Sequence, residues 1–128
     1  MTVGRSSSPT HQKGAAAEDA AAIFLTQQGF KVVAQNFNTR LGEVDLIVQQ
    51  GNTLVFVEVR QRQANSMVNA LESITVAKQR KIGRAAAIFL QRHPHYQHFN
   101  CRFDVIACTL MANGQREFEW IEAAFYVA

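Results

Sequence analysis

Two short runs, Gly42-Glu43-Val44-Asp45-Leu46-Ile47 and Val55-Phe56-Val57-Glu58-Val59-Arg60, flank the dipeptide Gly51-Asn52, whose residue types suit a two-residue hairpin loop. Successive side chains in a strand alternate between faces, so Val44, Leu46 and Val48 point one way and Glu43, Asp45 and Ile47 the other. An even loop centred on Gly51-Asn52 sets Gln50 opposite Thr53 and carries the register outward, which places Asp45 opposite Glu58 and Glu43 opposite Arg60. Directly opposed side chains have Cβ atoms roughly 4.5–5.5 Å apart. Val44, Leu46, Val48, Val55, Val57 and Val59 then form an apolar face with no polar side chain to compensate a buried charge. Two like charges are therefore expected at the mouth of an otherwise apolar hairpin.

A close carboxylate pair beside a core either shares a proton or binds a hard divalent cation through oxygen ligands. Mg²⁺ suits such a pair better than Zn²⁺. The competing reading is a strand end where Glu43 pairs with Arg60 and the other acids meet solvent. Directly opposed like charges are disfavoured on a sheet, which speaks against that arrangement arising without a role.

At 128 residues and 48% hydrophobic composition, the chain can bury one core and is too short for two ordinary domains. One domain is expected over residues 13–128, preceded by a mobile polar arm over residues 1–12. No run of about 18 apolar residues is available to span a bilayer, and the first 13 residues lack the apolar stretch of a signal peptide. A cytoplasmic location without membrane association is the expectation. Cys101 and Cys108 lie seven apart on one apparent strand, on opposite faces, and read as reduced, buried thiols.

The formal charge of +3 is unevenly spread. Between Val59 and Phe103 there are eight basic residues against the single acid Glu72. Lys78, Arg80, Lys81 and Arg84 fall in one helical pattern, and Arg60 and Arg62 end the hairpin. Such a field attracts polyanions, and nucleic acid is the economical partner because neutralising its phosphates releases counterions. A solvated helix face is the plainer alternative. Glu18 shares a helix side with Ala22 and Leu25, at the edge of an apolar stripe, where it is either directed inward or a helix-dipole acid. His93, His95 and His98 have no nearby acid or Cys to complete a tetrahedral metal set.

The order of elements reads as mixed α/β. A helix over residues 15–28 is closed by Gly29, a short strand spans 30–33, and a loop over 36–41 precedes the hairpin. The basic helix is expected to start after Thr75 as N-cap and to end near Arg92, before Pro94, with Ile82, Ala85, Ala86 and Phe89 as its buried stripe. An apolar strand over 102–108 turns at Asn113-Gly114 into a last strand over 117–121.

Gly14 with Glu18, Gly29-Phe30, Asn36, the Gly42-Glu43-Val44-Asp45-Leu46-Ile47 run, the Val55-Phe56-Val57-Glu58-Val59-Arg60 run, Lys78, Arg102-Phe103-Asp104 and Ala124-Phe125 together resemble the YraN family of small bacterial proteins. The match covers about residues 13–126. That family is similar to archaeal Holliday junction resolvases and the wider restriction-endonuclease-like group, whose site is a helix Glu, a strand Asp and a Glu-x-Lys on the next strand. The resemblance implies a restriction-endonuclease-like central mixed β-sheet flanked by helices. It assigns Glu18, Asp45 and Glu58 to the metal, Mg²⁺ or Mn²⁺, and puts Arg60 at the Lys position. In related nucleases the two strand acids hold the ion and the Lys helps to position the attacking water. Arg60 stays protonated and cannot act as a base, yet its fork can hold a phosphate. Glu43 supports the motif as an additional carboxylate, and Arg62, Lys78, Arg80, Lys81 and Arg84 are the expected nucleic-acid contacts. Resolvase-like relatives act as dimers, so the resemblance also implies a homodimer.

Three functions are consistent with these residues. The first is a Mg²⁺-dependent endonuclease-like protein hydrolysing phosphodiester bonds in DNA, branched DNA included. The second is a catalytically silent nucleic-acid-binding module, supported by Arg60. The third is a protein-interaction module whose basic helix meets an acidic partner, which salt dependence on generic DNA would separate from the others.

Overall fold

Gly51 adopts a left-handed φ of 57° at the first position of a two-residue turn, a conformation glycine reaches without steric penalty. The computed structural model describes residues 9–65 and 69–127, with the backbone alone for 9–13. Around the turn, β2 (Glu43–Gln50) and β3 (Thr53–Gln63) pair antiparallel from Gln50↔Thr53 to Leu46↔Val57. This is the expected register.

The remaining elements are α1 (Pro9–Gln27), β1 (Lys31–Asn38), α2 (Val76–Arg92), a 3-10 turn at Pro94–Tyr96, β4 (Asn100–Leu110) and β5 (Arg116–Phe125). The five strands lie in the order β1-β2-β3-β4-β5. Neighbours are antiparallel except β3 and β4, which are parallel and joined through α2. A parallel pair needs a long crossover connection, and the helix supplies it. One face of the sheet packs Leu46, Val48, Val55, Val57 and Ile106 against Ala21 and Leu25 of α1. The other packs Val44, Ile47, Leu54, Phe56 and Val105 against Ile82, Ala85, Ala86 and Phe89 of α2. The result is an α/β arrangement with a mixed sheet between two helices. Both sides of the central strands are buried, as parallel pairing with helical crossovers requires.

The α2 expectations hold locally. The Thr75 side chain accepts a hydrogen bond from the Lys78 amide at 3.1 Å, and the four expected residues are the buried ones. Four other expectations are corrected. Helix α1 begins at Pro9 rather than residue 15; proline suits a first helical position because its missing N–H has no partner there anyway. The expected arm over residues 1–12 lies outside the described residues for 1–8. Strand β1 runs through Asn38 into the expected loop, with a register shift between Val32 and Ala34 and a positive φ of 56° at Asn36. Val44 packs with Ile47 rather than with Leu46. Alternation breaks at Asp45, where the facing stretch of β1 carries the left-handed Asn36 between the pairs Gln35↔Leu46 and Phe37↔Val44. Cys101 is exposed, whereas Cys108 is buried as expected, and both thiols are free.

At the far side of the sheet, Asp104 is wholly buried. Its carboxylate accepts hydrogen bonds from Arg102 Nε at 3.0 Å, Trp120 Nε1 at 2.9 Å and the Ala123 amide at 2.9 Å. It sits in the register shift between β4 and β5, where Ala123 has a φ of 49°, and so ties an irregular strand end to the core. Among the described residues, no helix is long and apolar enough to cross a membrane.

Candidate functional site

The β2–β3 ladder stops at Leu46↔Val57, and beyond it a side chain takes over. Asp45 Oδ2 accepts a hydrogen bond from the Val59 amide at 2.8 Å, so the carboxylate bridges the opening strand ends where a backbone carbonyl would otherwise pair. This bond brings Asp45 beside Glu58, as the hairpin register anticipates. Glu58 is only 3% exposed. One of its oxygens, Oε2, lies 3.4 Å from Arg60 Nη1 and 3.7 Å from Lys78 Nζ. The other, Oε1, is buried without a hydrogen-bond donor. A buried carboxylate oxygen left in that state costs about 1–3 kcal/mol or more.

Protonation of Glu58 would relieve this cost. Burial pushes the Glu58 carboxyl up from 4.5 to about 8, and the Asp45 charge pushes in the same direction. Lys78 and then Arg60 pull it down, without offsetting the rise. Once protonated, Glu58 can donate a hydrogen bond to Asp45, whose charge favours that neutral form. A hard divalent cation would satisfy the same two groups and the orphaned oxygen in place of that proton. The donors are all oxygen, which fits Mg²⁺ or Mn²⁺, and Mg²⁺ is commonly held by one or two carboxylates with water and substrate phosphate completing its shell.

Glu18, the expected helix acid, lies on another element. It sits half-buried on α1, and no group of three His, Cys, Asp or Glu side chains among the described residues is placed to hold a metal ion. Arg60 turns to Glu58 and to the segment before α2 rather than to Glu43. Its Nε donates to Ser73 Oγ at 3.1 Å and its Nη2 to the Ser73 carbonyl at 3.5 Å. Glu43 is exposed and lines a cavity of about 330 Å³ with Lys78 and Lys81.

Lys78, Arg80, Lys81 and Arg84, four of the five basic residues of α2, do not share one face. Lys78 precedes the buried Ile82 by one turn and points over the sheet end to Glu58, while Lys81 flanks it on the cavity wall. Arg80 and Arg84 line a separate cavity of about 310 Å³ with Gly83, Ala87 and Val127. Arg62 is held by Glu119 at 3.1 Å. Two residues at the site escaped the sequence reading. Ser73 carries no motif signal. Arg40 belongs to a turn that the spacing Thr39-x-x-Gly42 could have disclosed, since a Thr hydroxyl often closes a turn onto the backbone that follows.

Residues 17–108 match the profile of the uncharacterised protein family UPF0102. The chain belongs to this family. It is 44% identical over 125 residues to a UPF0102 protein of Acinetobacter baumannii (strain AYE), covering 89% of this chain and 94% of that one. A UPF0102 protein of Nitrosomonas eutropha is 48% identical over 118 residues, covering 92% and 97% of the two chains. One from Alcanivorax borkumensis is 45% identical over 113 residues, covering 88% and 90%. The sequence resemblance to the YraN family and the UPF0102 match designate the same group, and its matched segment contains Glu18, Asp45, Glu58, Arg60 and Lys78.

Proposed function

We propose that this UPF0102 protein is a divalent-cation-dependent nuclease of the restriction-endonuclease-like type, acting on DNA phosphodiester bonds. The observation that carries the reading is the Asp45–Glu58 pair, whose buried Glu58 Oε1 has no donor and whose neighbours Arg60 and Lys78 are cations. Asp45 and Glu58 would hold Mg²⁺ or Mn²⁺, which when bound polarises a phosphate and lowers the pKa of a water. Val59 keeps Asp45 oriented through its amide. Lys78, one-third exposed, offers a charge to the phosphate undergoing attack, and Arg60 holds the Glu58 carboxylate toward the segment before α2. The site lies where the β2–β3 ladder ends, beside the part-exposed Lys78 of α2, from which side a phosphate would approach.

A second reading has its own support. Arg60 stands at the position of the motif lysine and is committed to Glu58 and Ser73, an arrangement equally consistent with a binding module that no longer turns over. Incubation with labelled linear, single-stranded, flapped and four-way-junction DNA in Mg²⁺ or Mn²⁺, beside Asp45→Asn, separates the two. Cleavage that disappears in the variant supports the nuclease. Intact DNA retarded on a gel supports the silent module, and DNA neither cut nor retarded refutes both.

A further inference from the structure

Residues 39–42 form a turn closed by its own threonine. Thr39 Oγ1 accepts from the amides of Leu41 at 3.1 Å and Gly42 at 3.0 Å and donates to the Gly42 carbonyl at 2.7 Å. The Thr39 amide donates to that same carbonyl at 2.9 Å. Gly42 is pressed against α2 so closely that a Cβ there would run into the Lys81 carbonyl. A turn locked twice in this way presents Arg40 from a fixed support, and preorganised groups lose less freedom on binding a ligand.

The turn and α2 flank the open cavity of about 330 Å³, whose charged lining is Arg40, Lys78, Lys81 and Glu43. At about 30 Å³ per water, it has room for a phosphate group together with several waters. Three cations face one carboxylate. Arg40 and Lys81 are exposed and make no ion pair among the described residues. Two like charges lining one concavity raise its potential and favour an anion there. Lys78 belongs to the cavity wall and also reaches Glu58 at 3.7 Å, so the cavity adjoins the carboxylate pair without being part of it.

We infer that the cavity between the 39–42 turn and α2 is a subsite for a phosphate of the nucleic-acid strand next to the one held at Asp45 and Glu58, with Arg40 and Lys81 as its ligands and Lys78 shared between the two positions. This rests on the proposed function for the identity of the ligand, and on the cavity alone for its place. The subsite fixes the strand's register, because a phosphate seated there leaves its neighbour at the carboxylates. Glu43 opposes the anion and limits its affinity.

The test is a titration of the ¹⁵N-labelled full chain in EDTA, which removes any dependence on turnover, with pyrophosphate and with a five-residue thymidine oligonucleotide. Wild type, Arg40→Gln/Lys81→Gln, Arg80→Gln/Arg84→Gln and Glu43→Gln are compared; all substituted side chains are exposed, and unchanged spectra outside the cavity establish that each variant is folded. The expected result is saturable shifts at residues 39–42 and 81 with the oligonucleotide. Loss of one neutralised phosphate in Arg40→Gln/Lys81→Gln should lower the slope of log affinity against log salt by about 0.7, and Glu43→Gln should tighten binding. Oligonucleotide binding with unchanged affinity and slope in Arg40→Gln/Lys81→Gln overturns the subsite and leaves the nucleic-acid reading standing. Pyrophosphate bound in the cavity with no oligonucleotide binding anywhere overturns both, and shifts centred on Arg80 and Arg84 place the strand elsewhere and overturn the subsite.

Discussion

Replacing Glu58 with Gln should change how the stability of the protein depends on pH. Glutamine keeps the shape of the side chain and the neutral state that burial already favours. In wild type the folded protein holds the Glu58 proton more tightly than the unfolded chain does. A raised carboxyl pKa therefore contributes stability that is fully present below 4.5 and is lost as pH rises through about 8. At about 1.4 kcal/mol for each pH unit between the two values, the loss from pH 5 to pH 9 amounts to about 4 kcal/mol, most of it reached by pH 7. Glu58→Gln removes this term and leaves every other titrating group in place. Urea denaturation of both proteins at pH 5, 7 and 9 in EDTA should give a wild-type curve that falls relative to the variant by about that amount. Adding Mg²⁺ at pH 9 should then raise wild type and leave Glu58→Gln unmoved, because a cation that replaces the proton stabilises only the chain that retains both carboxylates. Parallel pH profiles for the two proteins would refute the raised proton affinity of Glu58.

Two further perturbations test what holds the site in place. Gly42→Ala drives a Cβ into the Lys81 carbonyl, and overpacking against backbone should cost about 1–3 kcal/mol by thermal or urea denaturation, with the amide shifts of residues 39–42 displaced; wild-type stability would show that the turn is not pressed on α2. Asp104→Ala strands the Trp120 indole and the Ala123 amide, while Arg102 retains Glu122 at 2.9 Å. A loss of about 3–5 kcal/mol is expected, with red-shifted Trp120 fluorescence, and a loss under 1 kcal/mol would deny that this carboxylate anchors β5.

The parts of this protein legible in the sequence are those decided within a few residues. The hairpin register follows from the parity of a two-residue loop, and it places Asp45 by Glu58 before any tertiary contact is known. The start of α2 follows from a hydroxyl at Thr75 within reach of the Lys78 amide, and its buried face from helical period. Where the outcome depended on what packs across the sheet, the reading diverged. Val44 changes faces because β1 presents a left-handed Asn36 beside Asp45. Arg60 takes Glu58 and Ser73 as partners because the segment before α2 folds over the end of β3.

The charge run on α2 shows the same division. Sequence alone determined that Lys78, Arg80, Lys81 and Arg84 are helical and that the two strand acids are close, since both follow from local geometry and spacing. Tertiary structure alone decided that Lys78 meets Glu58, that Lys81 joins Arg40 across a cavity, and that Arg80 and Arg84 face elsewhere. The burial that raises the Glu58 carboxyl is likewise a property of the assembled layers: a proton affinity depends on the water excluded and the charges gathered around a group, and neither exists until α2 has crossed the sheet.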